Sequence, residues 1–335
     1  MHALAQGTAA FAMHHAHRQD AAHPTLSKVV GQQAGDIAGA EGVEIQLIGD
    51  GHLHGVLIEW VFFLQHRRMN ALIMIRFACI SILFVSASLQ AAEPMRVTFS
   101  GVPGPYTVER WKTDWPGCEF EDGVKEGNLS VVEQDARKWL RVSYVTGQIG
   151  PEKNGAGWRF PIGTHAEAEL RYTVRFGADF DWVKGGKLPG LCGGPENVSG
   201  GRPADGKNGF SARLMWRKDG RGEAYVYHKN QSDKYGDSFA FPPDFRFPTD
   251  TPIQVRMRVA MNDVGQRNGK LYVWITPGES LEVQVVARTD MEWRTVDSFG
   301  VDSLYFESFH GGSDATWAPT RACHADFGEM RVDTD

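Results

Sequence analysis

Four polar side chains in one short stretch of the chain are candidates for chemistry. Residues 210–229 contain two runs of alternating apolar and polar positions with an Asp-Gly step between them, which predicts a β-hairpin. Side chains alternate across a strand, so Ser211 and Arg213 share one face of the first strand if its apolar positions face the core. Tyr225 and Tyr227 share the matching face of the second strand. A hydroxyl, a guanidinium and two phenols would then lie within cross-strand reach of one another.

Lys187 is the other candidate. It lies in a Gly- and Pro-rich segment, residues 184–194, which we interpret as a shaped surface loop that carries one strong cation. The segment lacks the residue spacing of a phosphate-binding loop. A plainer interpretation applies to both groups: Tyr225 and Tyr227 could be ordinary strand tyrosines, and Lys187 could be a solvated lysine in a tight turn. The isolated residues do not decide between the two interpretations.

An ordered set of short motifs carries more information than the isolated residues. In chain order these motifs are Gly186-Lys187-Leu188-Pro189-Gly190-Leu191, Ser211-Ala212-Arg213 and Tyr225-Val226-Tyr227, then residues 235–239, 261–269 and 304–314. Together they resemble polysaccharide lyase family 14, the alginate and glucuronate lyases with a β-jelly-roll fold. The resemblance covers most of residues 170–330.

The resemblance implies roles for the candidate residues. It implies that Lys187, Tyr225 and Tyr227 are catalytic and that Ser211 and Arg213 bind the substrate. The chain departs from the family at residue 310, where His310 precedes Gly-Gly-Ser-Asp and family members often have an aromatic residue. We expect this departure to affect the details of substrate subsites rather than the core of the site.

These residue types suit β-elimination on a uronate. The reaction removes the proton at C5 and expels the oxygen at C4, and the neighbouring carboxylate must be neutralised by cations or hydrogen-bond donors. Arg213 can hold a carboxylate through two parallel hydrogen bonds. Tyrosine and lysine both have ordinary pKa values near 10, so a base must have a lowered pKa, and we expect Lys187 and Arg213 to lower that of a neighbouring tyrosine. Lys187 is then the essential cation or the base, the base staying open between Lys187 and a tyrosine, and the chemistry requires no metal or other cofactor.

The elements that position these residues are strands. Helical periodicity is nearly absent after residue 92, whereas alternation of period two recurs at residues 138–145, 170–176, 253–261, 270–275, 303–309 and 327–332. Asn268-Gly269 predicts a hairpin turn, and residues 197–209 predict a second long loop. The pattern predicts an all-β fold, an antiparallel β-sandwich of the β-jelly-roll type, in a single domain.

The net charge limits the kinds of partner that the chain is expected to bind. The chain has 35 Lys and Arg against 41 Asp and Glu, a net charge of −6, so nothing favours nucleic acid or a membrane surface as a partner. An anionic polysaccharide must therefore meet a local cluster of cations, and we expect a monomer.

Cys118, Cys192 and Cys323 would allow one disulfide and leave one thiol over, and they lack the C-x-x-C spacing of a zinc site.

The first 92 residues differ from the rest. Residues 69–92 have a short basic start, an apolar run and small residues at the end, which is typical of a secretory signal peptide. The apolar run is shorter than the stretch of about 20 apolar residues that a transmembrane helix needs. Residues 1–68 are then an upstream extension that is not native, and residues 93–335 are the lyase domain, secreted or periplasmic. The alternative for residues 1–68 is a leader that binds metal, since eight of the twelve histidines lie there.

The sequence therefore predicts a secreted polysaccharide lyase that cleaves alginate or a glucuronan and releases unsaturated oligouronates. The alternative from another class is a non-catalytic carbohydrate-binding β-sandwich, which would not need Lys187. A glycoside hydrolase is disfavoured because it would need two facing carboxylates and the hairpin offers only Glu223.

Overall fold

The computed structural model describes residues 94–118 and 120–335. The predicted signal peptide and the predicted upstream extension lie outside these residues. Within them, no helix is both long enough and apolar enough to cross a membrane.

The described residues form fifteen strands. In chain order the first eight are β1 (Met95–Val97), β2 (Gly104–Pro105), β3 (Leu129–Gln134), β4 (Arg137–Tyr144), β5 (Gly155–His165), β6 (Glu167–Phe176), β7 (Gly185–Gly193) and β8 (Phe210–Arg217). The others are β9 (Gly222–Tyr227), β10 (Asp237–Ala240), β11 (Ile253–Ala260), β12 (Gly269–Pro277), β13 (Val283–Met291), β14 (Val301–His310) and β15 (Cys323–Thr334). One helix, α1 (Val108–Asp114), and two 3₁₀ turns, Lys218–Gly220 and Ala315–Trp317, complete the set.

The strands form two antiparallel sheets. The nine-stranded sheet has the order β13-β12-β11-β6-β15-β4-β3-β2, and β1 pairs with β15. The six-stranded sheet has the order β10-β9-β8-β7-β14-β5. Side chains from both sheets form one buried apolar cluster. The predicted all-β antiparallel sandwich of the jelly-roll type is therefore confirmed.

Alternation along the strands explains how each sheet acquires its buried face. In β11, Ile253, Val255 and Met257 are buried, whereas Gln254 is exposed and Arg256 is partly exposed. Burying the apolar side chains of such strands contributes roughly 1.5–3 kcal/mol for each residue. The strands predicted from period-two runs are all present.

The predicted hairpin is formed by β8 and β9. Its apolar side chains face the core as expected, namely Phe210, Ala212, Leu214, Trp216, Ala224 and Val226. Asp219 and Gly220 in the turn both have positive φ, 61° and 74°, which Asp and Gly tolerate better than other residues. The opposite face of this hairpin carries the four candidate side chains.

The prediction of a surface loop over residues 184–194 is wrong, because β7 lies there as a central strand of the six-stranded sheet. Glycine is required because the neighbouring backbone comes very close: a Cβ at Gly190 would lie 1.9 Å from the carbonyl oxygen of Ala212, and one at Gly186 would lie 2.3 Å from that of Phe309. The register shifts between Leu188 and Gly190, at Pro189, which places the proline at an irregularity in the ladder. Lys187 is thus held on a rigid strand. The predicted loop over residues 197–209 is confirmed.

One detail of strand pairing also differs from expectation. The hairpin of β11 and β12 turns through residues 261–268, so Asn268-Gly269 is not a two-residue turn; Asn268 instead accepts a hydrogen bond from the amide of Asp263, 2.9 Å away. The last two strands, β14 and β15, are present as predicted and lie in different sheets.

The cysteines do not form the disulfide that the sequence allowed. In the part of the chain that the structure describes, Cys118, Cys192 and Cys323 are all unpaired. Burial raises the pKa of the Cys192 thiol to about 12, so this residue behaves as a small apolar side chain of the sheet.

Candidate active site

The structure brings the five candidate residues together on one face of the six-stranded sheet, the face turned away from the core. Cross-strand pairing places Ser211 opposite Tyr227 and Arg213 opposite Tyr225. Lys187 lies on the next strand, opposite Met215 of β8. The site is therefore built on three adjacent strands, which fixes its geometry more firmly than loops would.

Lys187 has an apolar and aromatic environment. Its Nζ lies 3.1 Å from Sδ of Met215 and 4.2 Å from the ring centroid of Tyr225. Within the described residues it makes no ion pair. Burial, with a further contribution from the charge of Arg213, lowers the pKa of Lys187 to about 7, although the carboxylate of Glu307 opposes the shift. A large fraction of this amine is therefore neutral near neutral pH.

The pKa of Tyr225 shifts in the direction opposite to that of Lys187. Burial and the hydrogen bond with Tyr227 raise the pKa of Tyr225 above its ordinary value of 10. Its hydroxyl lies 3.5 Å from that of Tyr227 and accepts a hydrogen bond from the amide of Gly236 at 3.2 Å. We expected neighbouring cations to lower this pKa. Arg213 does act in that direction, but burial outweighs it.

Arg213 and Ser211 lie beneath the surface rather than on it. Arg213 is 0% exposed and Ser211 is 1% exposed, and the guanidinium forms an ion pair with Glu307 on β14. The hydroxyl of Ser211 donates a hydrogen bond to the carbonyl oxygen of Val198 at 2.8 Å. In this arrangement neither side chain is exposed at the surface, and direct binding of the substrate carboxylate by Ser211 and Arg213 stays a prediction.

Arg213 and Ser211 are buried because the loop of residues 194–209, which we call the covering loop, lies over them. Tyr305 on β14 donates a hydrogen bond to the Asn197 side chain at 3.0 Å, and the amide of Gly201 donates one to the hydroxyl of Tyr227 at 3.1 Å. Val198 and Ala204 pack against Tyr227. The covering loop thus excludes water from the guanidinium of Arg213 and from the phenols of Tyr227 and Tyr305.

Beside the covering loop the sheet face opens into a groove of about 620 Å³, which we call the active groove. Its lining consists of Lys187, Ser199, Gly200, Met215, Arg217, Tyr225, Tyr227, Tyr235, Gly236, Ser238, Phe309, Gly311, Gly312, Ser313 and Trp317. No carboxylate lines this groove among the described residues. Hydrolysis of a glycosidic bond by the usual pair of carboxylates would need two such groups, so the groove does not suit it.

Several residues of the site are not among the candidates named from the sequence. Glu307 pairs with Arg213 across 94 residues of chain, and Met215, Arg217 and Trp317 line the active groove. Alternation along β14 could have placed Glu307 on the same face as Tyr305, but only if the strand order had been known. Arg217 lies in the period-two run that contains Arg213, so that pattern could have identified it.

His310 occupies a different place from the one expected. It is fully buried among the rings of Tyr144, Phe180 and Trp216, and its Nε2 lies 2.6 Å from the carbonyl oxygen of Asp181. Burial lowers its pKa to about 4. His310 therefore packs in the core and does not line the active groove.

Comparisons with known proteins agree with the fold. A family model described as Polysaccharide lyase 14 matches residues 132–330. The chain is similar to the marine PL-14 alginate lyase from Aplysia kurodai, with 26% identity over 72% of this chain and 98% of that chain and a TM-score of 0.64. Its fold is also similar to those of alginate lyase Aly36B (24% identity, 72% of this chain and 96% of that chain, TM-score 0.63) and of alginate lyase vAL-1 from Chlorella virus (20%, 65% and 92%, TM-score 0.52). No curated protein matches the chain.

Proposed function

Because the chain belongs to the polysaccharide lyase 14 family, and is therefore a polysaccharide lyase, we propose that it cleaves a polymer of uronic acids by β-elimination in the active groove. The products would be oligouronates that carry a double bond between C4 and C5 at the new end. A non-catalytic carbohydrate-binding module, the alternative from the sequence, does not agree with membership of a lyase family.

The observation that carries the proposal is the proximity of Lys187 and Tyr225 in one groove, where Nζ of Lys187 lies 4.2 Å from the ring centroid of Tyr225. The pKa of Lys187 is lowered to about 7, that of Tyr225 is raised, and both side chains line the active groove. Two titratable groups whose environments move their pKa values apart are suited to act as base and acid. We assign the neutral amine of Lys187 as the base that removes the C5 proton. The protonated phenol of Tyr225 then donates its proton to the departing C4 oxygen.

Four other residues support this pair. Arg217 is partly exposed in the groove and pairs with Glu223 at 2.7 Å, and we assign its guanidinium to bind the substrate carboxylate. Arg213 is a positioning residue whose buried charge contributes to the lowered pKa of Lys187. Ser211 holds the covering loop through Val198, and Tyr227 holds both the covering loop and the hydroxyl of Tyr225.

The pH dependence of kcat/KM tests the assignment of the base. Only a neutral amine accepts a proton, so activity should rise as pH increases through about 7, the pKa of Lys187. It should then stay high until the phenol of Tyr225 ionises, above the ordinary tyrosine value. If activity instead falls as pH rises through about 7, Lys187 acts as a cation and the assignment is wrong.

Changing Glu307 to Gln should move this pH profile. The Glu307 carboxylate raises the pKa of Lys187, so its removal should shift the acid limb of kcat/KM to lower pH. The position of a limb does not depend on how much enzyme is folded, so lost stability cannot imitate the shift. Glu279→Gln, at an exposed carboxylate between β12 and β13, is the matched control and should leave the limb in place. If the acid limb of Glu307→Gln does not move, the Glu307 carboxylate does not influence the pKa of Lys187.

Alginate is the first substrate to test, because the similar Aplysia kurodai protein is an alginate lyase. Purified protein would be incubated separately with polymannuronate, polyguluronate and polyglucuronate, and near-ultraviolet absorbance would report the new C4–C5 double bond. The proposal expects a rise on at least one polymer. Flat traces on all three would contradict the uronate substrate while leaving the family unaffected.

Export of the enzyme and its oligomeric state stay predictions. Residues 69–92 have the pattern of a secretory signal peptide, which supports a secreted or periplasmic enzyme acting on polymers outside the cytoplasm. Sequencing the N-terminus of the mature protein would test this, since export predicts a start near residue 93. Light scattering would test whether it is a monomer.

A further inference from the structure

A second cavity, of about 570 Å³, adjoins the active groove, and Arg217 lines both. We call it the basic cleft, because its lining includes five cations, namely Lys184, Arg217, Lys218, Arg221 and Arg246. Glu223 is the one carboxylate in that lining, and it is already bound to Arg217 at 2.7 Å and to the hydroxyl of Ser238 at 3.0 Å. The basic cleft therefore has a strong local excess of positive charge on a chain whose net charge is negative.

The other four cations have no carboxylate partner. Within residues 94–118 and 120–335, none of them forms an ion pair, and all four are exposed. Arginines on the outer face of the nine-stranded sheet behave differently: Arg256, for example, binds both Glu169 and Glu282. Five cations gathered at one cavity, where the one carboxylate of the lining is already bound to Arg217, indicate an anionic ligand.

The basic cleft is continuous with the site of cleavage. Trp317 lines the active groove, and its ring has Nζ of Lys184 at 5.8 Å and the guanidinium of Arg217 at 5.6 Å from its centroid. Beyond them, Phe241 and Pro242 give the basic cleft an apolar wall. A cavity that is lined by both cations and apolar side chains suits a polymer whose sugar rings each carry a carboxylate.

We propose that the basic cleft is a remote subsite that binds the uronate polymer several sugars away from the bond being cleaved. This inference rests on the proposed function, because it identifies the ligand as the same polyanion that enters the active groove. Lys218 and Arg221 at the end of the β8–β9 hairpin contact the carboxylates of the distal sugars. The subsite favours long polymers over short oligomers and takes no part in the chemical step.

The test compares Lys218→Ala/Arg221→Ala with the wild-type enzyme. The double variant should raise KM for the long polymer roughly three- to tenfold, as expected for the loss of two exposed charge contacts. It should leave kcat unchanged, and it should leave KM unchanged for the shortest oligouronate that the enzyme cleaves. Added salt should weaken polymer binding less in the variant than in the wild type, because fewer contacts are screened.

Arg267→Ala/Lys270→Ala is the matched control. It removes the same two charges from exposed positions at the β11–β12 turn of the other sheet, and it should match the wild type. If the test variant also matches the wild type on the long polymer, or if it affects the short oligomer equally, the remote subsite is excluded. If the wild type cleaves no uronate polymer at all, the proposed function fails first.

Discussion

Changing Lys187 to Met should lower kcat/KM on the preferred uronate polymer by roughly a hundredfold to ten-thousandfold, the usual contribution of a general base. Methionine keeps an unbranched apolar stem against Met215 and Tyr225 but has no group that accepts a proton. The loss should lie mainly in kcat, because base catalysis acts in the transition state. Initial rates from the ultraviolet signal of the double bond measure it.

Two further variants make this result specific. Lys187→Arg keeps the positive charge but cannot act as a base, since an arginine in a protein does not lose its proton. The base assignment therefore expects Lys187→Arg to be as inactive as Lys187→Met. Lys270→Met, at an exposed lysine of β12, should keep full activity. Activity retained in Lys187→Arg would show that the charge matters and that another group is the base.

Changing Arg213 to Met should lower the free energy of unfolding by about 3–5 kcal/mol. The substitution removes the partner of Glu307, whose side chain is only 9% exposed, and leaves a carboxylate in a site with little water. Burial raises the pKa of Asp122 and the nearby charge of Glu307 raises it further, so the unpaired charge would meet repulsion there. A loss of this size is a large part of the 5–15 kcal/mol that is typical of a folded domain.

Urea unfolding of the single and double variants measures this effect. Arg213→Met/Glu307→Gln should regain much of the lost stability, because a neutral pair no longer buries an isolated charge. Unfolding midpoints should shift without a large change in the slope of free energy with urea. A loss below about 1 kcal/mol in Arg213→Met, or no recovery in the double variant, would mean that the pair is better solvated than its burial indicates.

Much of the fold could be predicted because alternation of period two is a local signal. Strands such as β6 and β11 have clean apolar and polar faces, and the structure places their apolar faces in the core. Strand β7 could not be predicted in this way. Its glycines resemble a loop in the sequence, and they reflect the close approach of β8 and β14, which only the assembled sheet shows.

The sequence predicted which residues form the site better than it predicted how deeply they are buried. Alternation correctly placed Ser211, Arg213, Tyr225 and Tyr227 on one face of the hairpin. Whether such a face is solvated depends on what covers it, and the covering loop and Glu307 come from other parts of the chain. Burial therefore reversed the expected direction of the Tyr225 pKa shift, and this reversal supports the assignment of Tyr225 as the acid.

The most direct test of the central claim is the fate of solvent oxygen during cleavage. Wild-type enzyme would degrade its preferred polyuronate in water enriched in heavy oxygen, and mass spectrometry would examine the products. β-Elimination predicts a new end that lacks the elements of water and carries no heavy oxygen. Saturated products that carry heavy oxygen at the newly formed ends would instead mean hydrolysis, and would contradict the roles assigned here to Lys187 and Tyr225.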